Sequence, residues 1–260
     1  MLIALPDIQA KLNRREYNDY VQEAEDLDLY FTDKIEQLSS LVDKNGFAIF
    51  RANKTLSLLS IVQYMRKTFG PSLKDSGIAK KYLARVAPNS SKKFYINSSL
   101  AQPLHTDEGY RKNFPHYTSL YCIEPDLNGG VSVLVDGREL IEHLRLRYKE
   151  LIALAFDNNF MHLETAVGEL SKALLFHMPD GSVGISYSPI LKQIHSSADG
   201  LRLISAVNEY IHDTRNQLRI KLRKNELLVM NNCRMLHGRT EFDANNQRLL
   251  VRLWNGEMKL

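Results

Sequence analysis

The chain has little that could tie it together covalently. Only Cys122 and Cys233 carry thiols among its 260 residues, so a disulfide framework is not what holds the fold. Neither has zinc-type spacing, and both are expected to be buried thiols in a reducing, cytoplasmic setting. A long apolar run is also missing. The opening Met1-Leu-Ile-Ala-Leu-Pro has no basic flank and no length, so neither a signal peptide nor a membrane span is expected. There is no internal repeat, low-complexity tract or long linker, and residues 1–260 read as one domain. Charge of one sign is not in large excess: 34 Lys and Arg against 30 Asp and Glu leave a net +4, with acidic residues gathered in 16–36. Leu218-Arg-Ile-Lys-Leu-Arg-Lys224 alternates apolar and cationic positions, which describes a strand with one buried and one solvated face. It lacks the interleaved aromatics of a nucleic-acid stripe, so no nucleic-acid partner is expected. With 44% hydrophobic and 25% charged residues, the composition is that of a soluble globular enzyme.

Up to about residue 80 the pattern is an α/β lead-in. Thr32 is expected to cap a helix to about Leu41, stopped near Lys44-Asn45-Gly46. A short strand, Phe47–Phe50, and a helix, Leu56–Phe69, follow. From 81 to 260 strands dominate. They are expected at Tyr82–Val86, Lys93–Asn97, Leu104 onward, Val131–Val135, Leu218–Leu222, Leu227–Met230 and Leu249–Trp254. A hairpin is expected where Leu174–Phe176 and Gly184–Tyr187 flank Pro179-Asp-Gly181. Helices are expected from Glu139 to about Leu154 and, capped by Asp199, to about Thr214. The fold class is thus α+β with a mainly β core, and short strands with inserted helices suggest a jelly-roll.

The chemistry concentrates in His105-Thr-Asp107 and, much later, Leu236-His237-Gly238-Arg239 followed by Arg248 and Arg252. On a strand, side chains alternate, so His105 and Asp107 point to one side and can grip one metal. Two imidazoles and a carboxylate can fill one face of an octahedral ferrous iron and leave three positions open. One His-x-Asp/Glu is weak evidence, since about one arises by chance in a chain like this. A second, His162-Leu-Glu164, has no comparable partner and reads as ordinary structure. The first keeps better company. An apolar run (117–123) and Asn128-Gly-Gly-Val-Ser-Val-Leu-Val-Asp136 follow His105, while Glu226-Leu-Leu-Val-Met-Asn-Asn232 precedes His237.

That constellation resembles the Fe(II)- and 2-oxoglutarate-dependent oxygenases of the taurine dioxygenase, γ-butyrobetaine hydroxylase and clavaminate synthase group, over roughly residues 45–254. The resemblance implies a double-stranded β-helix flanked by helices, with His105, Asp107 and His237 as iron ligands. It also implies 2-oxoglutarate as co-substrate, O2 as oxidant, and release of succinate and CO2. Arg248 matches the arginine that clamps the distal carboxylate, a task suited to a permanently charged fork. Ser132 stands where one branch has a threonine sharing that carboxylate. Arg252, four residues on and so on the same strand face, is expected to touch co-substrate or an anionic substrate group. Arg239 has two readings, pinning a loop by a salt bridge or meeting substrate.

Substrate contacts are nominated beside the His-x-Asp strand: Tyr95, Asn97, Ser98, Gln102, Glu108, Tyr110 and Arg111. Glu108 with Arg111 would suit an amino-acid zwitterion, or they pair with each other. The implied activity is oxidation of a small polar, amino-acid-like metabolite. Asp107 argues against halogenation, which needs the carboxylate position vacated for halide. The alternatives are a protein-residue or nucleic-acid oxygenase, or a non-catalytic jelly-roll binding protein.

Overall fold

The computed structural model describes residues 3–4, 30–74, 82–88, 98–165, 168–189 and 193–259. Its centre is a pair of facing sheets. The larger runs β2 (Phe31–Thr32), β3 (Phe47–Arg51), β15 (Glu226–Asn231), β7 (Asn113–Glu124), β17 (Leu249–Lys259), β4 (Ser72–Leu73), and β5 (Ala84–Val86) also pairs with β17. The smaller runs β14 (Leu218–Ile220), β8 (Ser132–Asp136), β16 (Met235–Arg239), β6 (Gln102–His105).

The two-residue period of each strand decides what lies where. Phe47, Ile49, Leu228, Met230, Cys122 and Leu250 of the larger sheet meet Leu134, Ile220 and Met235 between the sheets. The intervening Ala48, Phe50, Leu227, Val229, Val251 and Leu253 turn outward onto Leu38 and Val42 of α1 (Leu38–Asn45) and Ile61, Met65 and Phe69 of α2 (Leu58–Phe69). Leu104, Val133, Val135 and Leu236 of the smaller sheet turn the other way. They pack under α3 (Gly137–Arg147) and α4 (Ala198–His212), through Leu140, Leu144, Leu203 and Val207. At about 1.5–3 kcal/mol per buried large aliphatic, these layers dominate the stability. The lead-in is part of this arrangement, since β2, β3 and β4 are strands of the larger sheet.

Against α4, through β13, lies a four-stranded sheet of order β1 (Ile3–Ala4), β13 (Gln193–Ser196), β9 (Met161–Thr165), β10 (Gly168–Lys172), and against α3, through β12, a hairpin of β11 (Leu175–His177) and β12 (Val183–Ile185). The protein is therefore mixed α+β, rich in sheet with few helices. Among the described residues no helix is long and apolar enough to cross a membrane.

Several boundaries differ from the sequence reading. Thr32 ends β2 and accepts from the Lys34 N–H at 3.0 Å, so it caps no helix; α1 starts at Leu38 after a short turn. The helix expected over 139–154 is two pieces. Asp136 caps α3 by accepting from the Arg138 N–H, α3 ends at Arg147, and Ile152–Phe156 is a separate tight turn of helix. α4 is capped by Ser197, which leaves Asp199 in the first turn, where its charge favours the helix dipole. Arg219 is buried, not solvated. It pairs across to Val133 on the face covered by helices and donates to the Gln217 amide oxygen. The strand expected at 93–97 lies outside the described residues.

Candidate metal centre

β6 and β16 are neighbours in the smaller sheet, and their register puts His105 directly opposite His237. Both face the space between the sheets, like Leu134, which is opposite His237 on the other side. The pairing slips by one residue before Gln102 meets Arg239, and the displaced backbone runs tightly over Gly238. A Cβ there would stand 2.7 Å from the Gln102 carbonyl oxygen, which explains the glycine between His237 and Arg239. The chain turns after β6, and Asp107 comes under the two imidazoles. Ligand atoms of His105, Asp107 and His237 all lie within 4.8 Å of one another, and all three residues are buried. The imidazole centroids are 4.5 Å apart.

The protonation pattern suits a cation. His105 Nδ1 lies 2.8 Å from the Pro103 carbonyl oxygen; donating there fixes the tautomer and leaves Nε2 as the inward lone pair. Gln102 Nε2 stands 3.2 Å from that atom. Burial, reinforced by neighbouring His105, pulls His237 down to about 3, so it is neutral at physiological pH. Burial alone would raise the Asp107 carboxyl, but Arg252, with the two histidines, holds it well below the usual carboxylate range.

Most of what fixes Asp107 was not anticipated from sequence. Arg252 Nη1 donates to Oδ1 at 2.9 Å; Trp254 Nε1 and Thr118 Oγ1 donate to Oδ2 at 2.8 and 2.5 Å. Asn232 clamps the backbone of the same residue. Its Oδ1 accepts from the Asp107 N–H at 2.7 Å and its Nδ2 donates to the Asp107 carbonyl oxygen at 3.0 Å. The sole tryptophan of the chain, two residues past Arg252 and of the same strand parity, was the one available hint.

Arg248 directly precedes β17, with Arg252 further along the same strand. Arg248 is 4% exposed; burial brings its guanidinium down to about 10, and it remains a cation. The guanidinium carbon stands 5.0 Å from the Phe242 ring centroid, and Nη1 has no hydrogen-bond partner among the described residues. Gly130, at φ +65°, makes room for it: a Cβ there would be 2.7 Å from Arg248 Nε. Ser132, two residues on, is buried and pairs with Ile220 and Arg239.

Arg239 pins the loop before β6 by donating to the carbonyl oxygens of Ser98 and Leu100 at 2.8 and 2.6 Å. Glu108, at φ +54° directly after Asp107, pairs with Arg111 (2.6 Å) and accepts from the Tyr110 hydroxyl (2.8 Å). Tyr95 and Asn97 lie outside the described residues. Both thiols are buried and free, and burial pushes Cys122 up to about 12.

The family model for taurine catabolism dioxygenase TauD, TfdA family, matches residues 17–254. Three solved structures share the fold at low identity. Asparagine oxygenase, solved with Fe(II), 3-hydroxyasparagine and succinate, is 14% identical, with a TM-score of 0.68 over 85% of this chain and 77% of that one. The non-heme iron oxygenase OrfP, solved with Fe and alpha-ketoglutaric acid, is 15% identical, with a TM-score of 0.66 over 85% and 77%. PvcB of Pseudomonas aeruginosa is 14% identical, with a TM-score of 0.64 over 85% and 80%.

Proposed function

The chain belongs to the TauD/TfdA dioxygenase family, and we propose that it is a single-domain Fe(II)- and 2-oxoglutarate-dependent oxygenase that hydroxylates a small, amino-acid-like metabolite. The facing sheets are then the double-stranded β-helix of such enzymes, and the carrying observation is the buried His105, Asp107 and His237 set within 4.8 Å. Its donors fit ferrous iron: two imidazoles and one held anion, a set that fills one face of an octahedral ion and leaves the rest for small ligands. The co-substrate fits as well. Arg248 offers a buried cation whose Nη1 has no partner among the described residues, suited to the distal carboxylate of 2-oxoglutarate, and Ser132, two residues past the Gly130 that makes room for Arg248, would add a hydroxyl donor.

Bound iron would supply the activation of O2 coupled to decarboxylation of 2-oxoglutarate to succinate and CO2. The chain's own residues position and exclude. Arg252, Trp254 and Thr118 keep Asp107 ionised and oriented, and its remaining lone pairs would be left to hold the metal. Asn232 fixes the turn that carries it. The apolar layer between the sheets keeps bulk water from the imidazoles. Glu108, Arg111 and Tyr110 would read the substrate, with the Glu108–Arg111 pair opening to meet an α-ammonium and an α-carboxylate. An amino-acid substrate is supported by the asparagine oxygenase complex with 3-hydroxyasparagine and by OrfP complexes with hydroxylated arginine.

The test has two stages. Anaerobic addition of Fe(II) and 2-oxoglutarate should give the weak visible charge-transfer band of a chelated ferrous centre, and a screen of free amino acids should find one that drives succinate release. Absence of the band, or its full retention in a His105→Ala, His237→Ala variant, overturns the reading.

A further inference from the structure

The second His-x-Glu pair of the sequence lies on a different sheet from the two histidines just described, the four-stranded one. β13, β9 and β10 are antiparallel, with His195 opposite His162, His162 opposite Ser171, and Glu164 opposite Glu169. Strand parity puts all five side chains on one face. Met161, Leu163 and Ile194 turn the other way and are buried, whereas His162, His195 and Ser171 are half-buried and both glutamates exposed. Together the five line a cavity of about 340 Å³.

Nothing in the fold requires this face to be so composed. Directly opposed like charges destabilise a sheet, yet Glu164 faces Glu169, and neither has an ion-pair partner among the described residues. The row beside them consists of two imidazoles and a hydroxyl. Ser171 Oγ lies 2.7 Å from His162 Nδ1; when it accepts there, Nε2 becomes the coordinating atom, as for a metal-bound histidine with its other nitrogen tied down.

We propose that this face is a second metal site, taking a borderline divalent ion of the zinc class through His162, His195 and Glu164, with Glu169 or water completing four positions. Reach is adequate. Residues directly opposite on antiparallel strands have Cβ atoms about 4.5–5.5 Å apart, so two imidazoles can converge on one ion through bonds of about 2.0–2.1 Å. Glu164, two residues from His162 on the same strand face, reaches the same point. Rotation of the side chains closes the set, which is not already gathered as tightly as His105, Asp107 and His237. Two imidazoles with carboxylate favour zinc over magnesium, which prefers oxygen ligands and retains its waters. Such an ion would tie three strands together, far in sequence from the turn that bears Asp107.

The test uses full-length protein carrying His105→Ala and His237→Ala, so that zinc cannot enter the first centre. Equilibrium titration with Zn2+ should find one equivalent bound, with no Mg2+ binding at comparable concentration, and a zinc-dependent rise in Tm. Adding His162→Ala or His195→Ala should abolish that equivalent, and Ser171→Ala should weaken it by about tenfold or more. His162→Gln serves as a second variant should alanine disturb the sheet, with far-ultraviolet circular dichroism checking that each is folded. No bound zinc in the parent variant, or zinc bound equally well without His162 and His195, overturns the proposal. Neither outcome bears on iron at His105, Asp107 and His237.

Discussion

Lys172 offers the sharpest test of the packing behind the catalytic turn. It sits on β10, 3% exposed, and its ammonium donates to the Gly109 carbonyl oxygen at 2.6 Å and to Ser186 Oγ at 2.5 Å, with the Phe114 ring centroid 5.8 Å away. No carboxylate pairs with it among the described residues. Burial lowers it from the ordinary lysine value of 10.5 to about 7, so desolvation outweighs the two hydrogen bonds. Between those two values the unfolded chain holds a proton that the folded chain has released, so folding releases protons and stability rises with pH. Below about 7 both states are protonated and the penalty of the buried cation is constant; above the unfolded value it vanishes. Each pH unit inside the window corresponds to about 1.4 kcal/mol, so wild type should gain about 2 kcal/mol between pH 7.5 and 9 relative to Lys172→Met. Urea unfolding of the iron-free proteins at several pH values reads this directly, because other titrating groups are common to both and cancel in the difference. Parallel stability curves for the two proteins would refute the argument and mean that the hydrogen bonds keep Lys172 charged.

Arg248→Ala should raise the 2-oxoglutarate requirement by roughly tens to thousands of fold, from a loss on the order of 2–5 kcal/mol, measured by titrating succinate formation. Ser132→Ala should cost less, about 0.5–1.5 kcal/mol, because it removes a neutral donor. Gly130→Ala should weaken 2-oxoglutarate without touching iron binding, since the new methyl meets Arg248 Nε at 2.7 Å on a backbone of φ +65°; equal loss of both affinities would show a general collapse instead. Trp254→Phe and Thr118→Val each remove one donor to Asp107 Oδ2 and should weaken Fe(II) by about 10–100-fold, read by equilibrium iron binding. Arg252→Ala should act on iron binding in the same assay, because in the structure its guanidinium meets Asp107. An effect confined to the coupling of 2-oxoglutarate turnover to product would return Arg252 to the substrate.

The parts of this site that could be read from sequence are those with a local signature. His105 and Asp107 share a strand face by parity, His237 follows a run of strand-forming residues, and Arg248 stands at a fixed distance behind it. What holds Asp107 had no such signature: Thr118, Asn232, Arg252 and Trp254 reach it through register between strands far apart in the chain. The leucine spacing that promised one helix from 139 to 154 was real, but Leu151 and Leu154 fall after α3 has ended, because periodicity reports which side is apolar and not where the backbone turns. Arg219 misled for a related reason. Alternation correctly assigned it the opposite face from Ile220, but a second face reads as solvent only when no helix covers it.

The two sheets divide the work at the metal centre. Both imidazoles belong to the smaller sheet, on β6 and β16, and Asp107 follows β6 directly. The three side chains that donate to its carboxylate at 2.9 Å or less come from the larger sheet: Thr118 on β7, and Arg252 and Trp254 on β17, where Trp254 is the register partner of Thr118 and Arg252 stands two residues before it. Asn232, at the end of β15, ties the backbone of the turn to the same sheet and to the Pro115 carbonyl oxygen. A buried carboxylate without its partners is costly, so Asp107 is stable as an anion only when the sheets are packed. The packing that excludes water between the sheets also completes the ligand set, and substitutions in the shared layer, such as Leu134→Ala or Leu250→Ala, should weaken iron binding although neither residue touches the metal ligands by a hydrogen bond.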